Sequence, residues 1–176
     1  KPISFLIDIF LFFFPVYWLY FFNRKISFKE ILNNFGVKKI SLKYFFKHTI
    51  IIFFLLFFIS IFINIIFISF GYSDLDLVTD KLKTLSPLLI IYLLLIRVFL
   101  EEWFFRGFLV SKTGILISSL LFALAHFGYG SIVEVCGAFI LGLVLAYYFK
   151  RINNLWPLYA AHFLYNFVVI MVIFLN

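Results

Sequence analysis

Residues 44–70 read YFFKHTIIIFFLLFFISIFINIIFISF, and after His48 no charged side chain appears until Asp74. A helix needs about 20 mostly apolar residues to cross the hydrocarbon of a bilayer. A segment this long and apolar on every face has no polar side to turn towards water. The rest of the chain agrees with it. Of 176 residues, 65% are hydrophobic and 13% charged, against roughly 45–50% and about 25% in soluble domains. A soluble enzyme, a disordered chain and a collagen-like fibre are excluded. What remains is a single all-α integral membrane domain over 1–176. The 29 Phe residues are composition and carry no chemistry of their own.

Working outward from 44–70, further apolar runs fall at 3–22, 87–108, 114–127, 132–149 and 155–175, which predicts a bundle of about six transmembrane helices. The connections support this division. Arg24, Lys25, Lys29, Lys38 and Lys39 fill the first, Lys112 lies in the third, and Lys150 and Arg151 lie in the fifth. The second carries Asp74, Asp76 and Asp80 beside Lys81 and Lys83, and the fourth, 128–131, is uncharged. Basic connections face the cytoplasm, so the odd-numbered ones are expected inside and both ends of this sequence outside. A short interfacial helix is expected around Ser27 to Gly36.

The net charge of +7 therefore reflects membrane orientation, and no nucleic-acid partner is expected. The single Cys136 permits no intramolecular disulfide and reads as packing. The sequence opens on Lys1 rather than Met, so it is read as trimmed or a fragment, with any cleaved leader outside view.

Ionisable residues inside spans are costly and mark sites or pathways. They are Asp8, Arg97, Glu101, Glu102, Arg106, His126, Glu134 and His162, with Asn64 and Asn166 as polar amides. At 1.5 Å per residue, Glu101 lies roughly 21 Å along its helix from Pro87, His162 about 10 Å from Leu155 and His126 about 18 Å from Gly114. This puts the three at comparable depth, towards the cytoplasmic half. Asp8, Asn64 and Glu134 fall at outer helix ends and are expected to be interfacial.

His162 and Asn166 are spaced i, i+4 and can face one cavity. Glu102 and Arg106 share that spacing, acid before base, which favours an ion pair. Glu101 points about 100° away from Glu102, so it faces a different neighbour, unless Arg97 pairs with it and makes it structural. A carboxylate beside an imidazole can activate water, and His and Asn donors can stabilise an oxyanion. Two His and a Glu can also ligate zinc, which stays open as the alternative. Other intramembrane signatures do not fit: His-Glu-x-x-His and Gly-x-Gly-Asp are absent, and Gly71-Tyr72-Ser73 lies in an acidic connection.

Three motifs occur in order: Glu101-Glu102-x-x-x-Arg106, Phe122-x-x-x-His126 preceded by Ser118 and Ser119, and His162-x-x-x-Asn166. Together they resemble the EExxxR, FxxxH and HxxxN motifs of the CAAX protease and bacteriocin-processing family, also called Abi. The likeness covers 87–176, the expected catalytic core. It implies a membrane-embedded endopeptidase similar to the type II CAAX prenyl endopeptidases, metal-free, acting on a membrane-associated peptide or protein. In that scheme Glu101 and His126 activate water, His162 and Asn166 form the oxyanion site, and Glu102 with Arg106 is structural. The compact chain resembles prokaryotic members of the cell membrane linked to bacteriocin immunity. A non-catalytic immunity or interaction protein on the same scaffold is thus the alternative. The motifs specify neither substrate nor oligomeric state.

Overall fold

The computed structural model describes residues 2–175, which contain helices and turns and no strand. Lys1, where the fragment reading falls, lies outside the described residues. Helices α1 (Pro2–Phe22), α2 (Phe28–Asn34), α3 (Leu42–Ser69) and α4 (Leu75–Lys83) come first. A continuous helical run, α5 (87–113), follows and is broken at Gly114, where φ is 83° and ψ 178°. The chain then continues through α6 (115–125), a tight turn at Phe127–Tyr129, α7 (Ile132–Ile152) and α8 (Trp156–Leu175).

Four helices, α1, α3, α7 and α8, are long and apolar enough to cross a membrane. With their apolar faces turned outward, as at Phe13, Phe58, Phe62 and Ile65, they make this a multi-pass all-α membrane protein. The other two expected spans take a different form. The third is α-helical only in part, because the run widens into π turns at Leu93–Arg97 and again at Glu102–Leu109. The fourth is shortened by the break at Gly114.

In lipid the apolar transfer term of about 25 cal/mol per Å² does not drive helices together, so close packing and polar contacts must. Both are present. Trp103 stacks on Phe12 of α1 at 5.6 Å and meets Phe35 edge-on at 4.2 Å, while its Nε1 donates to Phe12 O at 3.3 Å. Gly107 permits the approach of Phe35, since a Cβ there would sit 3.1 Å from Phe35 Cβ. Ile52 and Leu56 of α3 are fully buried against the core, as are Leu145, Leu155 and Leu158.

The expected short helix at Ser27 to Gly36 is α2. Ser27 caps it: the Glu30 N–H donates to Ser27 Oγ at 3.3 Å, and the Ser27 N–H donates to Glu30 Oε2 at 2.7 Å. The Ser27 N–H and hydroxyl, both donating to Glu30 Oε2, hold that carboxyl below its ordinary pKa. Gly36 ends the segment at φ 75°, and its carbonyl accepts the Leu155 N–H at 2.8 Å. This ties the first connection to the start of α8.

At the opposite end of α3, α4 is pinned over the turn that follows α6. Asp74 accepts from Ser131 Oγ at 2.6 Å and from the Ile132 N–H at 2.6 Å, at the start of α7. Lys81 Nζ donates to the carbonyls of Gly128 and Tyr129 at 2.8 and 2.6 Å.

Candidate active site

The π turns bracket Val98–Glu101 and set the two adjacent glutamates on different surfaces. Glu102 is fully buried and points into the protein. Its Oε1 lies 3.1 Å from Arg106 Nη1 and accepts from His162 Nδ1 at 2.8 Å. Arg106 is as deeply buried, with its guanidinium 4.0 Å above the Phe122 ring. The ionised oxygens only accept, so the His162 Nδ1 carries the proton in this bond. The FxxxH serines are buried too, and Ser118 Oγ donates to Phe105 O at 2.7 Å, fastening α6 to α5.

Glu101 is half-open, with 13% of its side chain exposed, and Arg97 Nε donates to its Oε1 at 3.1 Å. Arg97 also pairs through Nη1 with Asp8 of α1, and Asp8 Oδ2 accepts from Tyr92 Oη at 2.6 Å. Asp8 is thus buried and tied across helices, contrary to the interfacial place expected of it. A carboxylate near a helix end is drawn inward when a cation on a neighbouring helix compensates its desolvation.

Two adjoining cavities, about 60 and 120 Å³, lie between α3, α5, α7 and α8. Ser60, Asn64 and His162 line the smaller, Arg97 and Glu101 the larger, and His126, Glu134, Tyr165 and Asn166 line both. His126 and Asn166 therefore stand between Glu101 on one side and His162 on the other. The His126 Nδ1–H donates to Phe122 O at 2.8 Å, since a carbonyl can only accept. In the neutral ring this leaves the lone pair on Nε2.

Glu134 and Asn64, expected at outer helix ends, both line a cavity with His126. The signal was the tight turn. His126 and Glu134 flank a short uncharged connection, so α6 and α7 must meet there as antiparallel neighbours.

The larger cavity is also lined by Val78 and Leu82 of α4. It therefore opens at the end of the bundle remote from Lys38, Lys39 and Lys43, which precede or begin α3. Among the described residues no group of three or more His, Cys, Asp or Glu side chains converges closely enough to hold a metal ion, so no step is routed through zinc.

Helices enclosing a buried cavity of carboxylate, imidazole and amide define the class, an all-α membrane protein with an internal polar site. Residues 83–168 match the family model described as type II CAAX prenyl endopeptidase Rce1-like, the family that the three motifs resemble. No curated protein and no solved structure matches it.

Proposed function

We propose that the protein is an intramembrane endopeptidase that hydrolyses a peptide bond of a membrane-associated substrate, using water activated by Glu101 and His126. The observation that carries this reading is the position of His126 and Asn166 on both cavities, between Glu101 and His162.

Glu101 engages Arg97 through Oε1, and its other oxygen has no hydrogen bond among the described residues. That oxygen takes a proton from water, while the lone pair of His126 Nε2 orients the same water. The hydroxide attacks the carbonyl carbon, and the charge on the carbonyl oxygen is met by the Asn166 Nδ2–H groups. Collapse breaks the C–N bond, and the leaving amine receives the proton held by Glu101. A donor fixed in a water-poor cavity stabilises such charge far more than one in bulk water.

His162 needs a further condition. With Nδ1–H committed to Glu102, its Nε2 donates to an oxyanion only when the ring carries a second proton. Asn166 donates in either state. In this mechanism Glu102 and Arg106 position His162 and are not catalytic themselves. The scheme is metal-free, and with the basic connections inside, the site opens towards the outer face of the cell membrane.

The test is hydrolysis by purified protein in lipid nanodiscs, read by mass spectrometry with quenched hydrophobic peptides. Products with a new carboxyl terminus, formed by protein with less than stoichiometric zinc, support the scheme. One tightly held zinc per chain, lost together with activity in His126→Ala, would replace it with a metalloprotease. Efficient protection against a bacteriocin by protein that cleaves nothing would favour the immunity reading.

A further inference from the structure

Among the described residues, the buried and half-buried carboxylates are matched one by one, with a single exception. Asp8 has Arg97 and Tyr92, Glu101 has Arg97, Glu102 has Arg106 and His162, and Asp74 holds the first N–H groups of α7. Glu134 has no ion pair and no side-chain hydrogen bond among the described residues. The charged and imidazole groups acting on it are His126, Glu101, Asp74 and His162, and Arg97, which lines the larger cavity with it, is already engaged by Asp8 and Glu101. An uncompensated carboxylate in a desolvated cavity is unfavourable.

The space beside Glu134 is shaped to relieve it. Gly137, one turn further along α7, lines the smaller cavity, and a Cβ added there would meet no atom within 4 Å. The missing side chain leaves room in the cavity that Glu134 also lines. In the same wall, Asn64 donates through Nδ2 to Ser60 O at 2.8 Å, and its Oδ1 is a buried acceptor with no donor. An unpartnered carboxylate beside an open volume, with a second unpaired acceptor buried in the same wall, is complementary to a group that brings N–H donors and positive charge. Glu134 also lines both cavities, next to His126 and Asn166, so a group bound there belongs to a chain lying across the proposed reacting centre.

We infer that Glu134, with Asn64 and the space at Gly137, is a specificity subsite for a lysine or arginine side chain of the substrate, close to the bond cleaved. The inference rests on the endopeptidase reading for the word substrate, but the subsite itself can be read by binding alone. A cationic partner neutralises Glu134 only while the substrate is bound, which discriminates basic from neutral peptides.

The experiment walks one lysine through quenched hydrophobic peptides, with acetyl-lysine at the same position as the neutral control. Wild-type and Glu134→Gln proteins in zwitterionic nanodiscs are compared for cleavage and for binding by fluorescence anisotropy. At one position, lysine is expected to bind about tenfold more tightly than acetyl-lysine to wild type, the order of one charge-assisted contact. The ratio should fall to about one in Glu134→Gln. Binding that discriminates without any cleavage would leave the subsite standing and remove the endopeptidase reading. Equal binding of both peptides to wild type at every position would overturn the subsite, whether or not they are cleaved. So would a lysine preference that persists in Glu134→Gln, or a loss of cleavage in that variant that is the same for both peptides with binding ratios unchanged, which would mark Glu134 as a proton donor.

Discussion

Glu102 Oε1 accepts from His162 Nδ1 at 2.8 Å and stands 3.1 Å from Arg106 Nη1 as an ion pair. One buried oxygen thereby fixes the ring on α8 and neutralises the guanidinium on α5. Removing its charge should be felt first in folding. Breaking a buried pair by removing one partner costs about 3–5 kcal/mol, so Glu102→Gln is expected to lower folded yield and thermal midpoint in detergent, read by fluorescence-detected size exclusion. Glu102→Gln with Arg106→Met should recover part of the loss, because no unpaired cation is left inside.

Asp8 offers a milder case. Asp8→Asn frees Arg97 from α1 but leaves it with Glu101 as a partner, so the cost should be about 1–3 kcal/mol, as for a hydrogen bond to a charged group. Tyr92→Phe removes only the phenol donor and should cost less than Asp8→Asn in the same thermal assay.

The motif spacings made much of this site legible. Glu102 with Arg106 and Arg97 with Glu101 are pairs within one helical run, and the i, i+4 rule that suggested them does not need the tertiary structure. The partners of His162 and Asp8 were not legible, because both are contacts between helices whose rotation no single-helix pattern fixes. The π turns around Glu101 leave no mark in the composition of an apolar run, and the glycine break at Gly114 shortened the span bearing His126. Glu134 was misplaced for a related reason: its position along the sequence suggested a helix end at the surface, while the turn after His126 and the overlying α4 turned that end into a cavity wall.

For the proposed chemistry, the donor and the base should separate kinetically. Losing one oxyanion donor typically costs about 100- to 1000-fold in rate, so Asn166→Ala should cleave slowly while still binding peptide. His126→Ala should be slower still. Measuring kcat and peptide affinity separately distinguishes this from a structural loss, which would lower both.

Orientation is tested by labelling. Single cysteines at Lys39 and Asp76, in a Cys136→Ser background, should react with an impermeant maleimide from opposite sides of sealed vesicles, with Asp76 on the outer side beside the mouth of the larger cavity. Labelling of both from one side would contradict the proposed six-span arrangement.

Turnover of a cleavable peptide by Glu101→Gln, compared with wild type at equal folded yield, tests the central claim most directly. The substitution keeps the shape and an acceptor for Arg97 but removes the oxygen that takes the proton from water. Peptide binding within about threefold of wild type, with no measurable cleavage, is the predicted result. Cleavage by Glu101→Gln at the wild-type rate would contradict the assignment of Glu101 as the group that activates water.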